Sequence, residues 1–186
     1  MEDMKATEIL MHEHELILRG IAVLERLARL ADSGESVPAA DARTVIGFIR
    51  SFADGCHHAK EEGVLFPAME AAGIPKEGGP IGMMLIEHDQ GRAAVRAMDE
   101  AVNGFGRDAD APGAFAKAAF AYASLLSNHI WKENNILFRM ADQRIPSSQD
   151  AAMVSAYGEH EAKVAGTCDY GHYLAMIEGL ERTYSA

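Results

Sequence analysis

Ten residues that occur twice constrain the fold of this chain more than any other feature of it. His57-His58-Ala59-Lys60-Glu61-Glu62-Gly63-Val64-Leu65-Phe66 returns 72 residues later as His129-Ile130-Trp131-Lys132-Glu133-Asn134-Asn135-Ile136-Leu137-Phe138. The His, Lys, Glu, Leu and Phe positions are identical, and Val64 answers Ile136. In each copy His and Glu stand four apart. On a helix that spacing stacks two side chains on one face, about one turn apart, so both can reach one ion. A single His-x-x-x-Glu is a weak sign, because helices carry many by chance; two in the same local context are a strong one. The repeat also extends outward, since Glu13-His14-Glu15 answers Glu87-His88-Asp89, 74 residues on. The chain therefore reads as two helical hairpins of one design, each giving a lone His and a His/Glu pair.

Apolar periodicity extends the helical reading to the whole chain. Leu10, His14, Ile17, Ile21, Leu24, Ala28 and Ala31 step by four and three, predicting a helix from about Thr7 to Ala31 with Thr7 as its N-cap. Gly34 is a natural left-handed stop. A second helix is expected from Pro38 and Asp41 to about Ala72, with Ile46, Ile49, Ala53, His57, Glu61, Val64 and Ala68 inward. Pro67 is expected to kink or shorten its last turn. After the Gly/Pro-rich loop at 73–80, a third helix spans about Ile81 to Asn103, with Ile81, Met84, His88, Gly91, Val95, Met98 and Val102 inward. The fourth spans about Ala114 to Asp142, its stripe running through Phe115, Ala118, Tyr122, Leu125, His129, Glu133, Ile136 and Met140. Tail helices are expected near Gln149–Ala165 and from about Tyr170 to Tyr184. No stretch alternates apolar and polar residues as a strand would. The expected fold is all-α: one domain over 1–186, made of an up-down-up-down four-helix bundle at about 7–142 and a C-terminal helical segment at about 147–186.

Composition narrows the partners. The net charge of −11 repels nucleic acid and anionic membrane, and favours small cations and neutral gases. No apolar run approaches the ~20 residues a membrane span needs, and Met1-Glu2-Asp3-Met4-Lys5 has no apolar signal core. Two cysteines, Cys56 and Cys168, make no disulfide framework, so a reduced cytoplasm is the expected compartment. Cys56 lies about 100° round the helix from His57 and is assigned to packing.

One histidine on an apolar stripe is ordinarily a hydrogen-bonded core residue. Glu61 and Glu133 alter that reading, because a carboxylate inside a bundle is costly unless paired, protonated or bound to a metal. The only cationic groups expected on the same stripes are the histidines. Four imidazoles (His14, His57, His88, His129) and two carboxylates converging on one core need a cation. Nitrogen and oxygen donors without thiolate suit iron, manganese or zinc better than copper(I) or calcium. Six donors exceed the usual four of one zinc and suit two ions bridged by both carboxylates. Each ion then receives two imidazole nitrogens and two carboxylate oxygens, with a bridging oxide or hydroxide as a fifth ligand and a position open to an external one. Tyr122, Trp131, Phe66 and Phe138 are read as walls. His58 and Glu62, just off the seam, either orient the ligand imidazoles or face solvent.

The pattern His…His-x-x-x-Glu…His…His-x-x-x-Glu, met by His14, His57, Glu61, His88, His129 and Glu133, resembles the hemerythrin-like domains of the HHE cation-binding type over about residues 7–142. The resemblance implies a four-helix bundle around a non-haem di-iron centre, two iron ions with an oxo or hydroxo bridge, that meets oxygen, nitric oxide or peroxide. Ferritin-like bundles use Glu-x-x-His instead, and neither His57 nor His129 has Glu three residues before it. Oxygen-carrying hemerythrins have a second His one turn from that of the third helix, where this chain has Met84 and Arg92. Their last motif has Asp five residues after His, where this chain has Asn134. An imidazole fewer implies more open coordination, favouring peroxide turnover or nitric oxide reduction over carriage; a carrier, a sensor or an iron-handling module without turnover is the alternative. Members that repair iron–sulfur centres carry a cysteine-containing domain in front, and this chain begins directly at helix one. A replacement ligand is expected, if anywhere, in the tail: Glu161 of Glu159-His160-Glu161, or His172 beside Tyr170 and Tyr173, closing the pocket, while Glu159 and His160 are read as solvated.

Overall fold

A computed structural model of the chain describes residues 4–164, 166 and 168–184. Those residues form helices and connections only. Helix α1 is Ala6–Asp32. Helix α2 spans 39–71, α3 is Pro80–Asn103, and α4 spans 111–144. Two shorter helices follow, α5 at Asp150–Lys163 and α6 at Tyr170–Thr183. The expected end of α5 at Ala165 lies outside the described residues. Helices α3 and α4 each begin with proline in the first turn, where its missing N–H costs nothing, and this starts α4 three residues before the expected Ala114. Gly34 takes the left-handed conformation that ends α1, at φ 81°. Thr7 does not cap it: its hydroxyl donates to Asp142, and the Glu8 carboxylate accepts from the Lys5 backbone N–H instead.

Each of the four long helices packs against the next, and α4 closes the ring on α1. The interior is divided. One apolar cluster gathers Leu16, Leu24, Phe48, Phe52, Phe115 and Leu126. The other gathers Leu10, Phe66, Ile81, Met84, Leu137 and Phe138. Between them every long helix contributes buried polar side chains: His14, His57, Glu61, His88, His129 and Glu133 among others. Helix α6 seals the first cluster with Tyr173, Ile177 and Leu180, and α5 extends the second with Met153 and Tyr157.

In α3 the expected inner stripe is the buried one, residue for residue; in α1 every expected residue is buried, together with a second row through Glu13, Leu16, Gly20, Val23 and Leu27. In α2 it fails only beyond the carboxylate; in α4 it fails there too, and Ala118 and Leu125 are half-buried beside the buried Ala119 and Leu126. Beyond Glu61 the buried residues are Leu65, Phe66 and Met69, in place of Val64 and Ala68; beyond Glu133 they are Leu137, Phe138 and Ala141, in place of Ile136 and Met140. Ile136 is exposed. The cause is a wide, five-residue turn at Glu61–Leu65 and at Glu133–Leu137, where Phe66 N–H donates to Glu61 O and Phe138 N–H to Glu133 O. Such a π turn holds one residue more than an α turn and advances the stripe by one position. Pro67 is not its cause, since α4 makes the same turn with Arg139 at the equivalent place. A longer π segment, Ile49–His58, precedes it in α2.

Two further expectations fail. Trp131 is no wall of the site; it is 58% exposed. Cys56 is more than packing, since it is joined to Cys168 in a disulfide that ties α2 to the connection before α6. Their separation of 112 residues hid that pairing in the sequence.

Candidate metal centre

All six sequence-derived donors reach the same belt, each buried to within 1%. The two carboxylates lie between the imidazoles and touch both hairpins. Glu61 places one oxygen 3.5 Å from His57 Nε2 and the other 3.4 Å from His88 Nε2. Glu133 places one oxygen 3.2 Å from His14 Nε2 and the other 3.2 Å from His129 Nε2. The His88 and His129 Nε2 atoms stand 3.1 Å apart. The imidazoles thus form two pairs, His14 with His57 and His88 with His129, and each carboxylate spans from one pair to the other.

The outward nitrogens are all engaged. His57 Nδ1 lies 2.9 Å from Glu13 and His129 Nδ1 2.8 Å from Glu87, residues equivalent in the repeat. Lys60 donates to the other oxygen of Glu13, and Lys132 to the other oxygen of Glu87. His14 Nδ1 donates to Asn134 at 2.7 Å, and His88 Nδ1 to Glu62, again equivalent, at 2.7 Å. An Nδ1–H bonded outward fixes the tautomer with the Nε2 lone pair facing inward, which is the arrangement of a metal-binding imidazole. The Glu13/Glu87 and Lys60/Lys132 clamps carry their own sequence signal, because each pair is identical across the repeat.

The structure adds a residue that sequence reasoning left off the seam. His58 is buried, stacks on His88 with ring centroids 3.8 Å apart, and rests its Nδ1 3.2 Å from Asp54. Within the belt, two groups of possible ligands have their donor atoms within 4.8 Å of one another: His14, His57, Glu61 and Glu133, and His58, Glu61, His88 and His129. His58 thus brings a fifth imidazole, from α2, to the belt. Met84 belongs to the apolar cluster instead. Arg92 spans two supporting acids, Asp54 at 2.9 Å and Glu62 at 2.6 Å.

Neither tail candidate joins the belt. His172 is exposed, edge-on to Tyr173, because the first turn of α6 points it away from the bundle. Glu161 remains 43% exposed and pairs with Lys60. His160, expected to be solvated, meets the Gly55 carbonyl at 3.1 Å.

Charge is distributed to suit a cation. Burial, reinforced by the neighbouring Glu133 charge, drives Glu61 well above the usual carboxylate range. Burial opposes the Glu133 charge too, but His129 and His14 outweigh it and hold that carboxyl well below. Burial keeps His57 neutral, and brings His58 down to about 3 with the help of His88. Hydrogen bonds from His88 and Arg92 hold Glu62 down to about 2 against its partial burial. Among the described residues, the buried side-chain atoms without a hydrogen-bond partner are His14 Nε2, His57 Nε2, both oxygens of Glu61, both oxygens of Glu133, and the Tyr157 hydroxyl. Such atoms are rare in folded proteins. Six of the seven face one another across the belt, so nitrogen and oxygen donors with inward lone pairs fit metal ions there.

No curated protein and no solved structure matches the chain. A family does: the hemerythrin HHE cation-binding domain matches residues 5–141, which contain all six sequence-derived donors. With its helical bundle and its buried His/Glu clusters, the chain belongs to the hemerythrin HHE cation-binding family.

Proposed function

We propose that the belt holds two iron ions and exposes them to a small oxidant: oxygen, nitric oxide or peroxide. The observation that carries this reading is the set of six orphaned donor atoms on His14, His57, Glu61 and Glu133. Each would cost about 1–3 kcal/mol if left unpaired in an apolar interior. Two ions are favoured over one because each carboxylate turns one oxygen to each imidazole pair. Iron is favoured over zinc because the donors outnumber what zinc takes, and over softer metals because none is sulfur. Manganese fits the donor types less distinctively.

Iron, when bound, supplies electrons and Lewis acidity to a small ligand. The chain's own residues do the rest. Glu13, Glu87, Glu62 and Asn134 hold four imidazoles with their lone pairs inward. Lys60, Lys132 and Arg92 offset the charge of the supporting acids. The apolar clusters on either side of the belt keep bulk water out. A cavity of about 250 Å³ between α2 and α3 reaches the belt at His58, a size for small guests and not for a metabolite with a large scaffold.

Elemental analysis of protein expressed with ample iron should give two ions per chain. Glu133→Ala, which removes a carboxylate shared by both pairs, should lose most of that iron. Hydrogen peroxide breakdown, compared at equal iron content, should fall with it. A single tightly held zinc would overturn the di-iron reading. Reversible oxygen uptake with no peroxide breakdown would leave the iron centre standing and make the protein a carrier.

A further inference from the structure

The two hairpins repeat one another in every imidazole and carboxylate of the six-donor set, and the ring that breaks the repeat is His58. Its counterpart in the second hairpin is Ile130, which cannot ligate. The pseudo-symmetric belt therefore has four imidazoles in two equal pairs and a fifth on one side only.

Three observations give the fifth ring the character of the other four. It is buried, at 4% exposure, where an imidazole without a task is costly. A ring nitrogen lies within 4.8 Å of ligand atoms from Glu61, His88 and His129. Its Nδ1 is engaged by Asp54, as the other rings are engaged by Glu13, Glu87, Glu62 and Asn134. Asp54 is in turn held by Arg92, which also holds the Glu62 that supports His88. One guanidinium thus supports two neighbouring rings on the same side, and the His14/His57 side has no such crosspiece among the described residues.

We propose that His58 is a third imidazole ligand on the His88/His129 side, so that the centre binds its two divalent cations unequally. That side offers three imidazoles and the two shared carboxylates; the other offers two imidazoles and the same carboxylates. The proposal rests on the two-ion reading given above. The tighter ion is the one beside His58, and the looser ion leaves first.

The test is iron(II) removal by a graded series of chelators, with the metal remaining on the full chain measured by elemental analysis. The wild type should lose its ions in two separated steps. His58→Leu should weaken the tighter step by tenfold or more, bringing the two together, because deleting even a supporting contact of a ligand costs about 10–100-fold in metal affinity. His58→Gln, which keeps a polar side chain in the same space, should behave likewise if the imidazole is the ligand. It also guards against loss of fold in the leucine variant. Ile130→Val, at the equivalent place in α4, should leave both steps unchanged. Two separated steps that persist at wild-type affinities in the His58 variants would overturn the role of His58 and spare the two-ion reading. A wild type that binds one ion or none would overturn both.

Discussion

At the scale of single residues, the donors were legible and their supports only partly so. His57, Glu61, His129 and Glu133 announce themselves by spacing, and His14 and His88 by their place in the repeat. Lys60 carried a signal that went unread: it is identical in both copies, yet a lysine within a helix ordinarily points to solvent. Here it is fully buried between Glu13 and Glu161, whereas its counterpart Lys132 is 32% exposed. That difference predicts unequal costs. Lys60→Met should destabilise the metal-free protein by about 3–5 kcal/mol, by leaving the buried Glu13 carboxyl without its cationic partner. Lys132→Met should cost about 1 kcal/mol or less. Urea unfolding of both variants measures this directly, and equal costs would show that the buried lysine is no keystone. His58 was not legible, because its repeat partner is Ile130 and a lone imidazole off the seam has no periodicity to betray it. Its burial also sets a pH dependence. The folded state resists protonating His58 down to about 3, whereas the unfolded chain takes the proton near 6.5. Stability from this source is therefore complete above about 6.5 and is lost progressively as pH falls toward 3. Melting temperature of the metal-free protein should fall over that window, and His58→Leu should flatten the slope.

At the scale of helices, apolar periodicity recovered α3 in full and placed every expected residue of α1 on its buried side, because both are regular α-helices throughout. It recovered α2 only as far as its carboxylate, and α4 to the same point except at Ala118 and Leu125, which are half-buried. A count in steps of three and four assumes about 3.6 residues per turn, and the wide turn after each inward Glu moves the buried face by one position. The same turn occurs at the same motif in both hairpins, immediately after the inward-facing Glu, so it belongs to the site and not to a local accident. Gly63 lies inside the first wide turn and is exposed. Deleting it should convert that turn to α geometry while leaving Leu65, Phe66 and Met69 on the buried face. The expected outcome is a folded helical protein, by circular dichroism, that has lost much of its metal because Glu61 no longer aims between His57 and His88. Full metal content in a folded deletion variant would mean that the wide turn is not needed to aim the carboxylate. Capping was the other local miss: Thr7 has the right chemistry for an N-cap, but Asp142 on α4 takes its hydroxyl, a tertiary contact no local rule could see.

At the scale of the molecule, the sequence shows the bundle and leaves the tail as two helices with no stated docking site. The structure seats α6 on the first apolar cluster and fastens its approach through Cys56–Cys168. That bond closes a loop of more than a hundred residues, so by loop closure alone it should be worth about 3–5 kcal/mol. Unfolding in urea with and without dithiothreitol should differ by that amount, and Cys168→Ser should match the reduced protein. Coincident curves would mean that the unfolded chain is little constrained by the link. The spanning carboxylates have a consequence of another kind. Glu61 belongs to the first hairpin yet reaches His88 of the second, and Glu133 belongs to the second yet reaches His14 of the first. Each hairpin therefore completes the donor set of its neighbour, as the subunits of a two-fold dimer do. The loop at 73–80 between them keeps two such subunits at high effective concentration without making the centre itself. Cut there, and with Cys56–Cys168 reduced, the two pieces should hold each other through their shared apolar clusters and more tightly when the cation is present, which makes this single chain the fused form of a metal-assisted partnership.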